Sequence, residues 1–496
     1  MTDEVALHAA LVARLREIAP VAEPVLDAFA RVPRHLFLPR VPLESVYEDD
    51  AIVTRDDGGI PTSSSSQPSL MARMLDRLDV RPGQRVLEIG AGTGYNAALL
   101  AALVAALRGA GVAPDRVIDA FARVPRHAFL PGVDPEAVYV DDAVVTHRED
   151  SGIPTSSSSQ PSLMARMLEQ LDVRRGDRVL EVGAGTGYNA ALIAELGAAV
   201  TTVELQPEVA TAAREHLRAA AVPEAREPGA VDPGSVLVVT GDGAAPPGGP
   251  YDRVIVTASC WSLPLPLVGT LVEGGVLVAP LRLNGVEVVL GLRREGDVLR
   301  GTGGIPCGFM PMRGGDERPW RWPLGGGGAA TADADLGDEG RGALDRLLAT
   351  PGREVPDPLD LHEGEHALGA LLWLGLQGDP LLSLVRPASD GRPPWTVGLD
   401  VLPASLLVIE LAGGYRDLAS AWLHGGEAAL RTCRAGMEAW REAGSPGPAE
   451  LELTIDRRGD RAVWSLPVLG PDGTATMVRG AHRWTLRYRS DEAGGS

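Results

Sequence analysis

The clearest chemical pattern in the sequence is a glycine turn that is followed, about twenty residues later, by an acid. Gly183, Gly185 and Gly187 form the turn, and Glu204 ends the β-branched stretch that comes after it. A glycine turn between a strand and a helix lets the backbone approach a ligand and aims amides at it, and an acid at the end of the next strand bonds ribose hydroxyls. The pattern therefore predicts a site for a nucleoside-containing cofactor.

The residues around the turn predict the elements that hold it. We expect a strand over 178–182, a helix over 189–196, and a second strand over 199–203 that leads to Glu204. This order is typical of an open α/β sheet whose ligand lies at the carboxyl ends of the strands. A glycine turn in some other α/β unit is the alternative interpretation.

A second pattern could hold a metal. Residues 362–366 match HExxH, which on a helix presents two histidines to zinc with the glutamate as base. Gly364 weakens a helix here, and Leu372 stands where the extended motif needs a third histidine. We therefore interpret the segment as a solvated helix start and predict no metal site, with a zinc hydrolase as the alternative.

Charge excludes several function classes. All 46 basic residues are arginine, and with 66 acidic residues the net charge is −20. Without lysine the chain can form no Schiff base, pyridoxal aldimine or P-loop. A strongly acidic chain lacks the basic surface that phosphate backbones require, so we expect no nucleic-acid partner.

Cysteine usage and hydropathy indicate the compartment. Cys260, Cys307 and Cys433 are far apart and form no CxxC pair, which fits a reducing compartment. Asp3 and Glu4 stand where a signal peptide needs positive charge, and no apolar run approaches the length of a membrane span. We expect a cytoplasmic protein without a membrane partner.

An internal repeat dominates the first half of the chain. Residues 25–39 recur almost unchanged at 117–131, and residues 86–99 recur at 179–192. Copy one stops soon after its glycine turn, whereas copy two continues into new sequence, and the position in copy one that matches Glu204 is Gly111. We therefore expect copy two to bind the cofactor and copy one not to bind it.

The glycine turn also carries a resemblance. The dinucleotide fingerprint needs glycine where Tyr188 stands. A GxGxG turn followed by tyrosine resembles instead the S-adenosylmethionine loop of Rossmann-like methyltransferases, and later strands that end on Asp242, near Thr257 and near Leu281 agree with that fold. The resemblance implies S-adenosyl-L-methionine as cofactor, with contacts from Glu181, Gly183, Gly185, Gly187, Glu204, Asp242 and Thr257. Residues 256–260 lack an NPPY-type tetrapeptide, which disfavours amine methylation and leaves an oxygen acceptor.

Residues 117–280 resemble one family more narrowly. FARVPRHAFLP, a Tyr-x-Asp-Asp group and SSQPSLMARMLEQLDVRRGDRVLEVGAGTGY follow the order and spacing of the protein-L-isoaspartate O-methyltransferases. In that family a hydroxyl residue before a Gln-Pro or Ala-Pro pair holds the substrate carboxylate beside the methyl donor. Ser159, before Gln160 and Pro161, matches this place, so the resemblance implies that it is the catalytic residue. A flexible linker over 156–159 is the alternative.

The resemblance implies methylation of L-isoaspartyl or aspartyl side chains in a protein or peptide substrate. Two departures bear on the substrate, a longer and more charged stretch over 146–152 and an additional C-terminal region. Both resemble relatives found with ribosomally made modified peptides, which methylate an Asp of a precursor. Repair of isoaspartate and modification of a dedicated peptide therefore stay open, as does a non-catalytic binding protein if copy one blocks the cofactor cleft.

The repeat and the composition predict four units. Residues 1–103 are the partial duplicate, 104–324 the methyltransferase domain, 325–342 a small and acidic linker, and 343–496 an α+β C-terminal domain that could bind substrate. Within the last unit we expect one long helix or two short ones over 415–444 and a hairpin that turns at 458–460.

Overall fold

The structure is a computed structural model. It describes residues 3–19, 21–57, 60–78, 93–96, 98–99, 115–133, 138, 141–148, 154–314, 320–324, 329–333, 335–362, 367–377, 381–385, 395–401, 404–412, 417–458, 463–470 and 474–488. No helix in these ranges is long and apolar enough to cross a bilayer.

Copy one is a small helical unit with a core of its own. Its elements are α1 (Asp3–Ile18), α2 (Glu23–Arg31), a 3₁₀ turn (Arg34–Phe37), α3 (Leu43–Val46), the hairpin β1 (Ile52–Asp57) and β2 (Ile60–Ser65), and α4 (Pro68–Leu78). The apolar cluster inside it contains only residues between Leu7 and Leu99. The buried guanidinium of Arg34 donates to five backbone carbonyls between Val46 and Ser66, so the loops are tied to the helices.

Copy two begins with the same unit. Its elements are α5 (Asp115–Arg123), a 3₁₀ turn (Arg126–Phe129), the hairpin β3 (Val144–Arg148) and β4 (Pro154–Ser158), and α6 (Pro161–Leu171). Arg126 repeats the role of Arg34, since it donates to the carbonyls of Val138 and Ser159. We call this part of copy two the cap.

The cap leads into a parallel sheet. The next elements are β5 (Arg178–Val182), α7 (Tyr188–Glu195), β6 (Ala199–Glu204), α8 (Pro207–Ala219), β7 (Val236–Thr240), β8 (Tyr251–Val256), α9 (Leu265–Gly269), β9 (Leu271–Leu283), β10 (Val286–Glu295), β11 (Val298–Thr302) and β12 (Ile305–Pro306). The parallel strands lie in the order β7-β6-β5-β8-β9. The order of the strands reverses between β5 and β8, and open α/β sheets bind ligands at such a point. The predicted Rossmann-like fold is confirmed.

A second, antiparallel sheet follows. Its strands are β13 (Trp320–Pro323), β14 (Ala329–Ala332), β15 (Arg353–Glu354), β16 (Leu381–Val385), β17 (Trp395–Val401), β18 (Ser405–Ala412) and β19 (Asp417–Gly425), and its helices are α10 (Gly337–Leu348), α11 (Ala367–Leu376) and α12 (Ala428–Glu442). The seven strands lie in the order β13-β14-β16-β17-β18-β19-β15.

The last strands return to the first sheet. They are β20 (Leu451–Arg457), β21 (Val463–Trp464), β22 (Val468–Leu469), β23 (Ala475–Gly480) and β24 (His482–Tyr488). Strand β20 pairs with β11, so the parallel sheet extends through β10, β11, β20, β24 and β23 to β21 as one sheet of 13 strands. The C-terminal region therefore completes the methyltransferase sheet.

The two faces of β9 pack against two different parts of the chain, the cap and the C-terminal region. Val276 and Val278 share an apolar cluster with the cap, whereas Leu277 and Ala279 share one with α11 and α12. Alternate residues of a strand point to opposite faces. Helix α6 therefore covers one face of β9 and β10, and α11 from the C-terminal region covers the other.

Three local predictions are wrong. The predicted linker over 325–342 contains β14 and the first half of α10, because the small residues Ala330 and Ala332 are buried between β13 and β16. The N-terminal part of the stretch predicted as helical over 415–444 contains β19, since pairing with β18 overrides its helix-forming composition. In the predicted hairpin at 458–460, positions 459 and 460 lie outside the described residues, but the described strands on its two sides do not pair with each other, because β20 pairs with β11 and β24 whereas β21 pairs with β23.

Candidate functional site

The glycine turn lies at the carboxyl end of β5, where the sheet reverses its order. Gly183, Gly185 and Gly187 have φ angles of +97°, +52° and +85°, which favour glycine. A Cβ on Gly183 would lie 2.5 Å from Thr257 Oγ1, and one on Gly187 would lie 3.2 Å from Leu217 Cγ. Close approach and backbone conformation therefore both require glycine in this turn.

Thr257 braces the turn from the neighbouring strand. Its hydroxyl donates to the carbonyl of Gly183 at 2.7 Å, and its amide donates to the carbonyl of Val182 at 2.9 Å. The end of β8 is thereby fixed to the end of β5. The structure brings the predicted residue Thr257 directly against the turn.

Glu204 ends β6 beside the same turn. Its carboxylate accepts from the amide of Gly185 at 3.1 Å and from the amide of Gln206 at 3.1 Å, and its exposed fraction is 9%. The acid is thus oriented at the site by two backbone donors. This placement is the one expected of an acid that binds ribose hydroxyls.

Glu181 lies beneath the turn. It is fully buried, and its two oxygens accept from Asn189 Nδ2 at 2.7 Å and from Thr202 Oγ1 at 2.5 Å. Burial raises the pKa of this carboxyl to about 7, and the negative charge of Glu204 acts in the same direction. Glu181 was predicted to contact the cofactor, but in the structure it joins β5, β6 and α7 under the loop.

Asp242 follows β7 on the far side of Glu204. The amide of Ala244 donates to Asp242 Oδ1 at 2.8 Å. A Cβ on Gly314 would lie 2.5 Å from the same oxygen, so the chain near residue 314 passes directly over Asp242. Asp242 is therefore at the sheet end where it was predicted, against a segment that sequence reasoning missed.

That segment, residues 305–314, runs along the loop after β8. The amide of Ser259 donates to the carbonyl of Met310, and the amide of Met312 donates to the carbonyl of Ser259. Glu287 joins the two stretches, because its buried carboxylate accepts from Ser259 Oγ at 2.6 Å and from the amide of Phe309 at 2.8 Å. Burial raises the pKa of Glu287. An apolar run with two prolines was the only sequence signal for this segment.

The β3–β4 hairpin approaches the turn from the cap. The carbonyl of Ser157 and the hydroxyl of Ser156 would lie 3.4 Å and 3.7 Å from a Cβ on Gly185. Thr146 Oγ1 donates to Ser156 Oγ at 3.1 Å, which orients that hydroxyl. Sequence reasoning did not single out Ser156, although it belongs to the serine run that ends at Ser159.

Ser159 lies three residues further on, between β4 and α6. It is half-buried, and its carbonyl accepts from Arg126 Nη2 at 3.0 Å. Asp141 fixes the helix start that follows, since it accepts from Gln160 Nε2 at 2.9 Å and from the amide of Ser162 at 2.8 Å. The segment is thus a junction between strand and helix, and the alternative of a flexible linker over 156–159 does not fit these contacts.

Most of the HExxH segment lies outside the described residues. His362 precedes the start of α11, and residues 363–366 lie outside the described residues. Within the described ranges, no group of three His, Cys, Asp or Glu side chains could hold a metal ion.

Comparison with known protein families shows which family the chain belongs to. The sequence profile of the protein-L-isoaspartate(D-aspartate) O-methyltransferase family matches residues 6–108 and, separately, residues 101–317. The chain belongs to this family. The two matches also confirm the predicted partial duplication.

Individual proteins that are similar to this chain carry the name of the same family. A protein-L-isoaspartate O-methyltransferase of Methanoculleus marisnigri is 39% identical over 211 residues, which cover 42% of this chain and 88% of the relative. One of a Roseiflexus species is 37% identical over 207 residues, which cover 41% and 87%. A Plasmodium falciparum protein-L-isoaspartate O-methyltransferase solved with S-adenosyl-L-homocysteine is similar at 18% identity and a TM-score of 0.34, over 41% of this chain and 92% of that one.

The family assignment establishes the reaction class. The chain is a protein-L-isoaspartate O-methyltransferase that uses S-adenosylmethionine, as predicted. Nothing in these comparisons supports the zinc hydrolase alternative. The glycine turn, Glu204 and Asp242 provide backbone and carboxylate groups that fit such a cofactor.

Proposed function

We propose that copy two alone binds S-adenosylmethionine and esterifies the carboxylate of an isoaspartyl residue in a protein or peptide. The observation that carries the proposal is the Glu204 carboxylate held against the amide of Gly185 at the switch point of the sheet. Gly183, Gly185 and Gly187 would leave room for the cofactor, Glu204 would accept from its ribose and Asp242 from its adenine amino group. The bound cofactor supplies an activated methyl group.

The carboxylate that accepts the methyl group does not need a side chain to activate it. An aspartyl-type carboxylate has an ordinary pKa of about 4 and is ionised at neutral pH, so no base has to remove a proton. The chain must hold the carboxylate in line with the methyl group and exclude water. We assign the holding role to the Ser159 hydroxyl, supported by the ordered junction that Arg126 and Asp141 build around it.

A second substrate remains a candidate because of the hairpin beside the turn. Between Thr146 and Gly152 copy two has one residue more than copy one and carries three charged side chains. An enzyme that modifies an Asp of a dedicated peptide would use such a loop for recognition. The C-terminal region does not argue for this substrate, because its strands and helices complete the core of the methyltransferase sheet.

Mass spectrometry of the full chain with labelled donor separates the candidates. An isoaspartyl peptide and its Asp twin are offered in parallel, with the Glu204→Ala variant as control. A methyl ester on the isoaspartyl peptide alone supports the proposal. An ester on an Asp peptide alone would favour the dedicated substrate, and no ester on either, from protein that binds the cofactor, would contradict both.

A further inference from the structure

Glu287 is a buried carboxylate to which the methyl transfer described above assigns no role. It lies on β10, is 1% exposed, and stands opposite Arg282 of β9 in the antiparallel pair. A buried carboxylate destabilises a fold unless a charge partner and hydrogen bonds offset its loss of water. The groups that donate to Glu287 therefore indicate what it does.

The carboxylate of Glu287 accepts hydrogen bonds from two stretches that are distant in the chain. Its Oε2 accepts from Ser259 Oγ at 2.6 Å, and its Oε1 accepts from the amide of Phe309 at 2.8 Å. Its main-chain carbonyl accepts from the amide of Cys307 at 3.2 Å. Glu287 therefore fixes the loop after β8 and the 305–314 segment to one strand.

The same two stretches also pair through their backbones. The amide of Ser259 donates to the carbonyl of Met310 at 2.8 Å, and the amide of Met312 donates to the carbonyl of Ser259 at 2.9 Å. This pairing is an isolated bridge outside the named strands. The side chain of Glu287 thus supports a short backbone contact that no sheet reinforces.

Both stretches lead to the cofactor site. Thr257, two residues before Ser259, donates to the carbonyl of Gly183 at 2.7 Å. Gly314, two residues after Met312, passes so close to Asp242 that a Cβ there would lie 2.5 Å from Asp242 Oδ1. A single buried carboxylate therefore lies behind contacts to the glycine turn and to Asp242.

We propose that Glu287 is a positioning residue that holds the 305–314 segment against the loop after β8, so that the segment forms one wall of the S-adenosylmethionine site beside Asp242. Glu287 acts through Ser259 and Phe309 and takes no part in the transfer itself. The inference rests on the proposed function, because Asp242 is there the acceptor of the adenine amino group.

Glutamine can make both side-chain bonds of Glu287, and alanine can make neither. The glutamine Oε1 would accept from the amide of Phe309, and its Nε2 would donate to Ser259 Oγ. Glu287→Ala should raise the KM for S-adenosylmethionine at least about fivefold and change kcat less than about twofold, because one or two hydrogen bonds that support binding are lost. Glu287→Gln should keep the wild-type KM.

Steady-state kinetics with a saturating isoaspartyl peptide, and calorimetric titration with S-adenosyl-L-homocysteine, measure these effects. Ser259→Ala removes one of the two bonds and should raise the KM less than Glu287→Ala does. Ser405→Ala is the matched control, because Ser405 Oγ is equally buried and accepts from the amide of Ala429 at 2.7 Å in the second sheet. Its KM should equal that of the wild type.

Hydrogen exchange of the chain without cofactor tests the holding role directly. Amides exchange faster where local structure opens more easily. The amides of residues 305–314 should exchange faster in Glu287→Ala than in the wild type, and Glu287→Gln should restore the slow exchange. Ser405→Ala should leave the exchange of this segment unchanged.

Several outcomes would overturn the inference. A folded Glu287→Ala chain with wild-type KM and exchange is one, and a Glu287→Gln chain as impaired as Glu287→Ala is another. If circular dichroism shows that Glu287→Ala does not fold, Ser259→Ala decides, and an unchanged KM in that variant counts against the positioning role. A wild type that binds no S-adenosyl-L-homocysteine would instead refute the proposed function itself.

Discussion

At the scale of single residues, Glu181 should make the stability of the fold depend on pH. Its folded pKa of about 7 lies above the ordinary value of 4.5, so the folded protein holds the proton more tightly than the unfolded chain does. The stabilisation that this protonated carboxyl contributes to the folded state is complete below about pH 4.5 and is lost as the pH rises through about 7. Glu181→Gln removes this dependence and keeps a neutral hydrogen-bonding group.

Urea unfolding at pH 5 and pH 8 measures the effect. Between these values the wild type should lose about 2.5 kcal/mol of unfolding free energy that the glutamine variant retains, at about 1.36 kcal/mol per pKa unit, because the unfolded carboxyl is already mostly ionised at pH 5. Equal pH dependence in both proteins would show that Glu181 is ionised in the folded state.

Glu204→Ala should weaken cofactor binding. The change removes the acceptor for one or two ribose hydrogen bonds to a charged group, which are worth about 1–3 kcal/mol. Titration calorimetry should show one site per chain, and Glu208→Ala, an exposed acid on the following helix, should bind normally. A second equivalent site, or unchanged affinity in Glu204→Ala, would refute the assignment to copy two.

Ser159→Ala should lower the methylation rate at least about tenfold and leave cofactor affinity unchanged, because a group that only positions the acceptor affects the reaction step. Ser66→Ala, the matching change in copy one, should have no effect. Ser156→Ala is the informative comparison, since Ser156 is the hydroxyl next to Gly185. If that variant lost activity instead, the acceptor role would belong to Ser156.

At the scale of elements, a buried charge cluster joins the two sheets. Asp333, which follows β14, accepts from Arg282 of β9 at 3.2 Å and from Arg479 of β23 at 2.7 Å, and all three are buried. Arg282 also stacks on Trp261 in the loop after β8, 4.3 Å from the ring centre. The cluster therefore connects the C-terminal strands to a loop that borders the site.

Asp333→Ala should destabilise the protein by about 3–5 kcal/mol, because two buried guanidinium groups lose their carboxylate. Urea unfolding measures the loss. Asp335→Ala breaks an exposed pair with Arg341 and should cost less than about 1 kcal/mol. Similar losses in the two variants would mean that water reaches the cluster.

The elements around the glycine turn could be predicted because their signals are local. The β-branched strands, the turn and Glu204 lie within one short stretch, and periodicity together with glycine spacing places them. The β19 strand and the 305–314 segment could not be predicted, since β19 depends on pairing with β18 and the segment depends on contacts with Ser259 and Glu287. Ser156 was missed for the same reason, because its proximity to Gly185 exists only after the hairpin packs on the turn.

At the scale of the whole molecule, the methyltransferase fold should need the C-terminal region but not copy one. Removing copy one, so that the chain starts at residue 104, should leave folding and cofactor affinity intact, because copy one has its own core. Ending the chain after Pro323 should abolish folding, because it removes α11 from β9 and β10 and leaves one edge of β11 without its partner strand β20.

Circular dichroism and cofactor titration of both truncated chains test this difference. A folded and active chain that ends at Pro323 would show that the C-terminal region is an independent domain, as its composition predicts. Sequence reasoning could not find the shared core, since strands distant in the chain carry no local mark of their partner.

The pairing of β11 with β20 has a consequence for synthesis on the ribosome. Arg300 bonds Thr454 across this pair, so the contact joins residues 154 positions apart. Such long-range pairing slows folding and leaves apolar strands unprotected until the partner arrives. Copy one can fold as soon as it emerges, whereas one edge of β11 must wait until β20 has been synthesised. A nascent or prematurely terminated chain should therefore depend on chaperones over this interval, and a synonymous change that slows translation between β11 and β20 should lower the yield of soluble enzyme.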